Sequence, residues 1–184
     1  MAPPQPWKVL GEEVVYRDRW VSVKRVHVLL PNGREYVYTT LARVPGAAIV
    51  ALNERGEILL QREYRHPLGE IIYQLPGGLI DEGESALQTA QRELREETGY
   101  EAAHWELLGE VQDNPGLIDG STTVFLATGL KRVGESRLEW TEFNEAEWHS
   151  LEWLRRHIKQ GDIRERVLLA AVAFLWARGE YVVE

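Results

Sequence analysis

The chain has no cysteine and a single methionine. Disulfide staples and thiolate metal centres are thereby excluded, so any metal site must be built from oxygen or imidazole ligands. A long apolar run is also missing. The longest, residues 167–177, has 11 residues, against about 20 for a bilayer span, and reads as a buried helix. The start, Met1-Ala2-Pro3-Pro4-Gln5-Pro6, has neither the basic end nor the apolar centre of a signal peptide. A cytoplasmic protein with no membrane partner is expected. Positive charge is scarce: 21 Lys and Arg stand against 29 Asp and Glu, a net charge of −8. A non-specific nucleic-acid binder would be basic, so nucleic acid is not an expected partner. A phosphate-bearing substrate stays open, because a bound cation reverses the local field. The 184 residues suit one domain, or a core with a small appendage.

What is present concentrates between residues 76 and 100. Pro76-Gly77-Gly78 opens a glycine loop that runs through Gly83 and Glu84 into a predicted helix, residues 85–97. Ser85 suits the N-cap, Ala86, Leu87, Ala90 and Leu94 form an apolar stripe, and Gly99 suits the C-terminal stop. At about 100° per residue, Glu93, Glu96 and Glu97 share the sector beside that stripe. Like charges within one turn cost a few tenths of a kcal/mol per pair, a cost that a dication removes. Oxygen ligands alone favour Mg²⁺ or Mn²⁺. A plain solvated acidic face is the usual reading of a Glu-rich helix, but the glycines, which let backbone approach closely, tip the balance to a metal site.

The rest of the chain predicts an α/β protein. Strand-like runs at 12–17, 20–30 and 35–43, with the Asn32-Gly33 turn between the last two, give a small N-terminal antiparallel β subdomain, residues 1–43. Residues 44–184 form the second domain. Strands are expected at 47–52, 57–61, 71–74, 105–112 and 122–127, and helices at 85–97, 151–160 and 162–178. Mixed strands with a central helix and late helices suggest an α/β/α sandwich around a mixed sheet.

The run from Gly78 to Tyr100, with Glu84, then Arg92-Glu93-Leu94-Arg95-Glu96-Glu97-Thr98-Gly99-Tyr100, resembles the Nudix box at each of its defined positions. The Nudix-type fold is the same α/β/α sandwich. The resemblance implies hydrolysis of the pyrophosphate bond of a nucleoside diphosphate derivative. It makes Glu93, Glu96 and Glu97, with the Gly77 carbonyl, the ligands of Mg²⁺ (or Mn²⁺), and gives Arg92 the holding of one glutamate. Pro115, 15 positions past the end of the box, and the stretch 61–67 resemble the ADP-ribose pyrophosphatase subgroup, although Asp119-Gly120 and Pro76-Gly77-Gly78 depart from its usual pattern. That likeness implies a homodimer joined through the N-terminal subdomain, with substrate contacts from it. Trp20 would stack on adenine, and Tyr38 (or less favourably Tyr36) would supply the other face. Arg43 and Arg65 would contact phosphates. The general base would be a loop glutamate between Lys131 and Trp148, with Glu142 preferred, then Glu145, over Glu139 and Glu147. The expected reaction is ADP-ribose to AMP and ribose 5-phosphate. Alternatives are a nucleotide sugar, FAD or a dinucleoside polyphosphate as substrate, a non-catalytic ADP-ribose sensor, or a cap-hydrolysing RNA enzyme.

Overall fold

The computed structural model describes residues 3–138, 140–141 and 143–179. Two compact units divide the chain: Met1–Val44 with Gln112–Ser121, and Pro45–Val111 with Thr122–Glu184. Residues 112–121 therefore belong with the N-terminal unit. Sequence order hides this, because the segment returns to the third strand, Glu35–Arg43, from far along the chain.

The N-terminal unit is a three-stranded antiparallel sheet in the order β1-β2-β3, made of β1 (Lys8–Arg17), β2 (Val21–Leu29) and β3 (Glu35–Arg43). Pro31-Asn32-Gly33-Arg34 closes β2 onto β3, and Gly33 takes φ +78°, a conformation that favours glycine. β1 begins at Lys8, four residues earlier than the alternation predicts, and every residue of it is exposed. The returning segment docks on β3: the Leu41 N–H donates to the Leu117 carbonyl at 2.8 Å, and the Asp119 N–H to the Leu41 carbonyl at 3.1 Å.

The second unit is an α/β/α sandwich. Its mixed sheet has the order β7-β4-β9-β8, from β4 (Gly46–Ala51), β7 (Gly77–Leu79), β8 (Tyr100–Gln112) and β9 (Ser121–Arg132). β4 runs parallel to β9 and antiparallel to β7. Every residue of β4 is buried, as expected for a strand covered on both faces. Period-two alternation sends Ala47, Ile49 and Ala51 to one side with Ala90 and Leu94 of α1 (Ala86–Thr98). Ala48 and Val50 go to the other side with Leu154 of α2 (Leu151–Gln160) and Leu168, Ala171 and Leu175 of α3 (Arg166–Ala177). A fully buried leucine such as Leu94 contributes about 1.5–3 kcal/mol.

A second sheet, β10-β5-β6, is antiparallel: β5 (Glu57–Arg65), β6 (Glu70–Gln74) and β10 (Asn144–Ser150). Its β10 begins within the stretch between Lys131 and Trp148 that the sequence reads as loop and runs on to Ser150. With its charged and polar residues, that strand lacks a β signature. Long-range partners hold it: each residue pairs with β5, and His149 stacks on Trp153 of α2 at 3.8 Å. The last helix starts at Arg166 and not at 162, because Glu165 caps it by accepting the Leu168 N–H at 2.8 Å.

Candidate active site

Helix α1 is placed by its ends and its buried face. Ser85 accepts the Gln88 N–H while the Gln88 side chain accepts the Ser85 N–H, a reciprocal capping box, and Gly99 closes the helix at φ +73°. Ala90 and Leu94 are fully buried. Leu87, expected in the same stripe, is instead 37% exposed, and Glu97 takes the adjoining inward place at 5% exposure. The helix is thus rotated so that one carboxylate reaches the sheet beside the leucine.

That carboxylate meets the glycine loop. Glu97 Oε2 accepts the Gly77 N–H at 2.8 Å. Gly77 sits at φ +152°, and a Cβ there would overlap the β4 backbone at Ala47 and Ala48. Its glycine is therefore demanded by sheet packing as well as by any close backbone approach to a ligand. At Gly78 a Cβ would overlap the Glu93 carboxylate, so Glu93 lies directly on the loop. Gly83 at φ +86° turns the chain back into the helix.

Arg92 is the hub of the cluster. Its guanidinium donates to Glu84 Oε1 at 3.1 Å, to Glu93 Oε1 at 2.8 Å and to Glu96 Oε2 at 3.2 Å, and lies 3.5 Å from Asp81. Glu84 is further pinned by the Thr89 hydroxyl at 2.7 Å. These bonds, Arg92 first and Thr89 second, hold the Glu84 carboxyl below the usual carboxylate range. The same carboxylates, Glu84 first, push the Arg92 guanidinium up. The Arg92–Glu96 pair, at i to i+4 spacing on the helix, is one arm of this network.

The donor chemistry fits a hard divalent cation. Only carboxylate and backbone oxygens are offered, and the glycine loop leaves room for the Glu93 carboxylate where a Cβ would stand. Among the described residues, however, no three Asp, Glu or His side chains converge as a ready ligand set. Glu93 and Glu96 turn to Arg92, and Glu97 turns to the Gly77 N–H. On the outer flank of α1 lies a cavity of about 600 Å³, lined by Arg92, Arg95, Glu96, Trp105 and Arg137 among others. It touches the acidic cluster through Arg92 and Glu96.

Of the remaining expected residues in this unit, Arg65 donates to the Gln74 side chain at 2.7 and 2.9 Å and pairs with Glu63 at 3.0 Å. Glu142 and Glu139 lie outside the described residues. Glu145 is on β10, 76% exposed in its side chain and 3.5 Å from Arg62, which also holds Glu147 at 3.3 Å.

In the N-terminal unit, Arg43 ends β3 opposite Val21 and pairs with Asp113 at 3.0 Å. Pro115 sits in an exposed turn closed by the Leu117 and Ile118 N–H groups on the Asn114 carbonyl. The Tyr38 hydroxyl donates to the Gly116 carbonyl, and its ring meets Trp7 and Tyr36 edge-on. Trp20 is 52% exposed. The strand register separates the two aromatic residues expected to share a base. Trp20 precedes Val21, the partner of Arg43, whereas Tyr38 pairs with Val26. Six positions along the sheet at about 3.4 Å each put them roughly 20 Å apart within one chain. Sequence reasoning also missed Asp18, Arg19 and Asp113. Asp18 had a signal, an aspartate between two strand runs where side chains cap turns; Asp113 had none.

An acidic helix behind a glycine loop, set in an α/β/α sandwich, is the arrangement that defines one class of protein. The NUDIX domain family matches residues 42–172, and the nucleoside diphosphate sugar hydrolase N-terminal domain matches residues 7–41. The chain belongs to the Nudix family. Within it, the chain is a Nudix pyrophosphohydrolase resembling the ADP-ribose pyrophosphatases. It is 32% identical over 168 residues to the ADP-ribose pyrophosphatase of Mycobacterium tuberculosis, covering 90% of this chain and 81% of that one. It is 36% identical over 156 residues to the CMP-5'-(N-acetyl-N-hydroxy-3-aminopropyl)phosphonate hydrolase of Streptomyces rubellomurinus, covering 84% and 75%. A crystal structure of an ADP compounds hydrolase superposes with a TM-score of 0.84 at 24% identity, over 100% of both chains, which supports the fold.

Proposed function

We propose that the protein hydrolyses ADP-ribose to AMP and ribose 5-phosphate in a Mg²⁺-dependent reaction, as a cytoplasmic homodimer. The observation that carries this reading is the cluster in which Arg92 gathers Glu84, Glu93 and Glu96 while Glu97 is tied to the Gly77 N–H. The similarity to an ADP-ribose pyrophosphatase over 90% of the chain supports the choice of substrate. The similarity to a CMP-phosphonate hydrolase favours a second reading, another nucleotidyl derivative cleaved by the same chemistry.

In the proposed mechanism Glu93, Glu96, Glu97 and the Gly77 carbonyl would hold the cation, Mg²⁺ or Mn²⁺. When bound, such an ion neutralises developing phosphate charge and lowers the pKa of water. The protein's own groups do the rest. Arg92 keeps Glu93 and Glu96 in place, and the Gly77 N–H fixes Glu97. Arg43 and Arg65 suit phosphate oxygens through their planar forks, Trp20 suits the base, and Pro115 shapes the turn that holds Tyr38. Residues 1–43, with the returning segment 112–121, act as the subdomain for dimerisation and substrate contact, and the rest of 44–184 as the hydrolase domain.

A glutamate, Glu142 first and Glu145 second, takes the proton of the attacking water. Glu142→Gln is expected to slow turnover by about 10²–10⁴-fold, the usual worth of a general base, while Mg²⁺ binding persists. If Glu145→Gln alone does so, the base is Glu145, released from Arg62. The substrate is tested by incubating the protein with Mg²⁺ and a panel of ADP-ribose, nucleotide sugars, FAD and dinucleoside polyphosphates, with products identified by mass. AMP with ribose 5-phosphate as the fastest-forming pair is the expected outcome; preference for another member reassigns the substrate.

A further inference from the structure

The turn that presents Trp20 is built from side chains with no other evident duty. One oxygen of the Asp18 carboxylate accepts the N–H groups of Trp20 and Val21, each at 2.8 Å. Its other oxygen accepts the Tyr16 hydroxyl at 2.9 Å. The Trp20 N–H, then the Val21 N–H, then the Tyr16 hydroxyl hold this carboxyl below its ordinary range, so near neutral pH the turn stays closed. On it the indole stands half exposed, and the Arg19 guanidinium lies over the ring, 4.2 Å from its centroid.

A base bound to Trp20 needs something on its other side. Tyr38 of the same chain is roughly 20 Å along the sheet and cannot supply it. Arg19 has the right chemistry for that second face. Its guanidinium is flat, delocalised and weakly hydrated, and stacks on aromatic rings as an ammonium group does not. We propose that Asp18, Arg19 and Trp20 form a preformed clamp for the purine of a nucleoside diphosphate derivative. The purine enters against the indole, the guanidinium moves outward by one ring thickness, and Arg19 then covers the second face. Asp18 is a positioning residue that fixes the indole; Arg19 is a contact residue that touches the base. This inference rests on the reading of Trp20 as the base-binding tryptophan.

Calorimetry with AMP and with ribose 5-phosphate separates base contacts from the rest and does not depend on turnover. Arg19→Ala is expected to weaken AMP binding about tenfold, to leave ribose 5-phosphate binding unaltered, and to raise KM for ADP-ribose with little effect on kcat. Arg19→Lys should recover only part of the loss. Asp18→Ala should also weaken AMP binding, and Asp18→Asn should restore most of it, since its amide oxygen still accepts both N–H groups. Unchanged or tighter AMP binding in Arg19→Ala overturns the proposal. So does a loss confined to Tyr38→Leu, which would assign the second face to Tyr38 from another copy. Trp20→Ala separates the two levels: if it weakens AMP binding while Arg19→Ala does not, only the clamp fails. If Trp20→Ala has no effect, the reading of Trp20 fails and the clamp with it.

Discussion

Replacing Glu97 by glutamine lowers kcat by on the order of 100- to 1000-fold, the scale of one preorganised group stabilising transition-state charge, while the protein stays folded. Glu97 combines two circumstances that separate these effects. It is 5% exposed and accepts the Gly77 N–H, and glutamine keeps an acceptor oxygen of the same shape for that bond. What glutamine removes is the negative charge that the proposed cation requires. Steady-state kinetics alongside denaturant unfolding distinguishes the two consequences. Turnover near that of the native protein would remove Glu97 from the metal set.

Arg92→Ala should lower both stability and activity. The guanidinium is 27% exposed, Glu84 25% and Glu93 12%, so the network stands between a surface pair and a buried one. Breaking a buried pair costs about 3–5 kcal/mol and a surface pair about 0–1; about 2 kcal/mol is expected here. For a chain of this length that lowers Tm by about 4–8 °C. The pH dependence has a definite sign. Glu84 has a folded pKa below its ordinary value of 4.5. Its contribution is complete above that value and disappears as pH falls through the lower folded value. Arg92 stays charged throughout, its pKa being raised. The Tm gap between native and Arg92→Ala protein should therefore be full at pH 7 and shrink below about pH 4.5. A gap that is constant into acid, or under about 1 °C at pH 7, would show that Arg92 does not organise the cluster.

The parts of this molecule legible in the sequence are those set by local chemistry. Ser85 and Gly99 bracket α1 because capping is a matter of a few adjacent residues. The apolar run at 47–52 announces a strand buried on both faces, and Asn32-Gly33 announces the β2–β3 turn. The parts that stayed hidden depend on partners distant in sequence. β10 is held by β5 and by the Trp153 stack, so its own residues give no strand signal. Residues 112–121 join the N-terminal unit through Leu41 and Tyr38, contacts made across more than 70 positions. In the site, spacing along a helix put Glu93, Glu96 and Glu97 in one sector of α1 and Arg92 within reach of Glu96, a pair the structure forms. It did not show that Arg92 serves Glu84 and Glu93 as well, nor that Glu97 faces Gly77. Helical periodicity gives the angle of a side chain, whereas the loop that meets it is fixed only when β7 pairs with β4.

The most direct test is turnover of ADP-ribose by chelator-treated protein as Mg²⁺ is added back. If the Arg92-centred carboxylates capture the cation that makes the pyrophosphate cleavable, no AMP forms in chelator and Mg²⁺ restores formation along a saturable curve. AMP produced at the same rate in chelator as in Mg²⁺ would contradict that account.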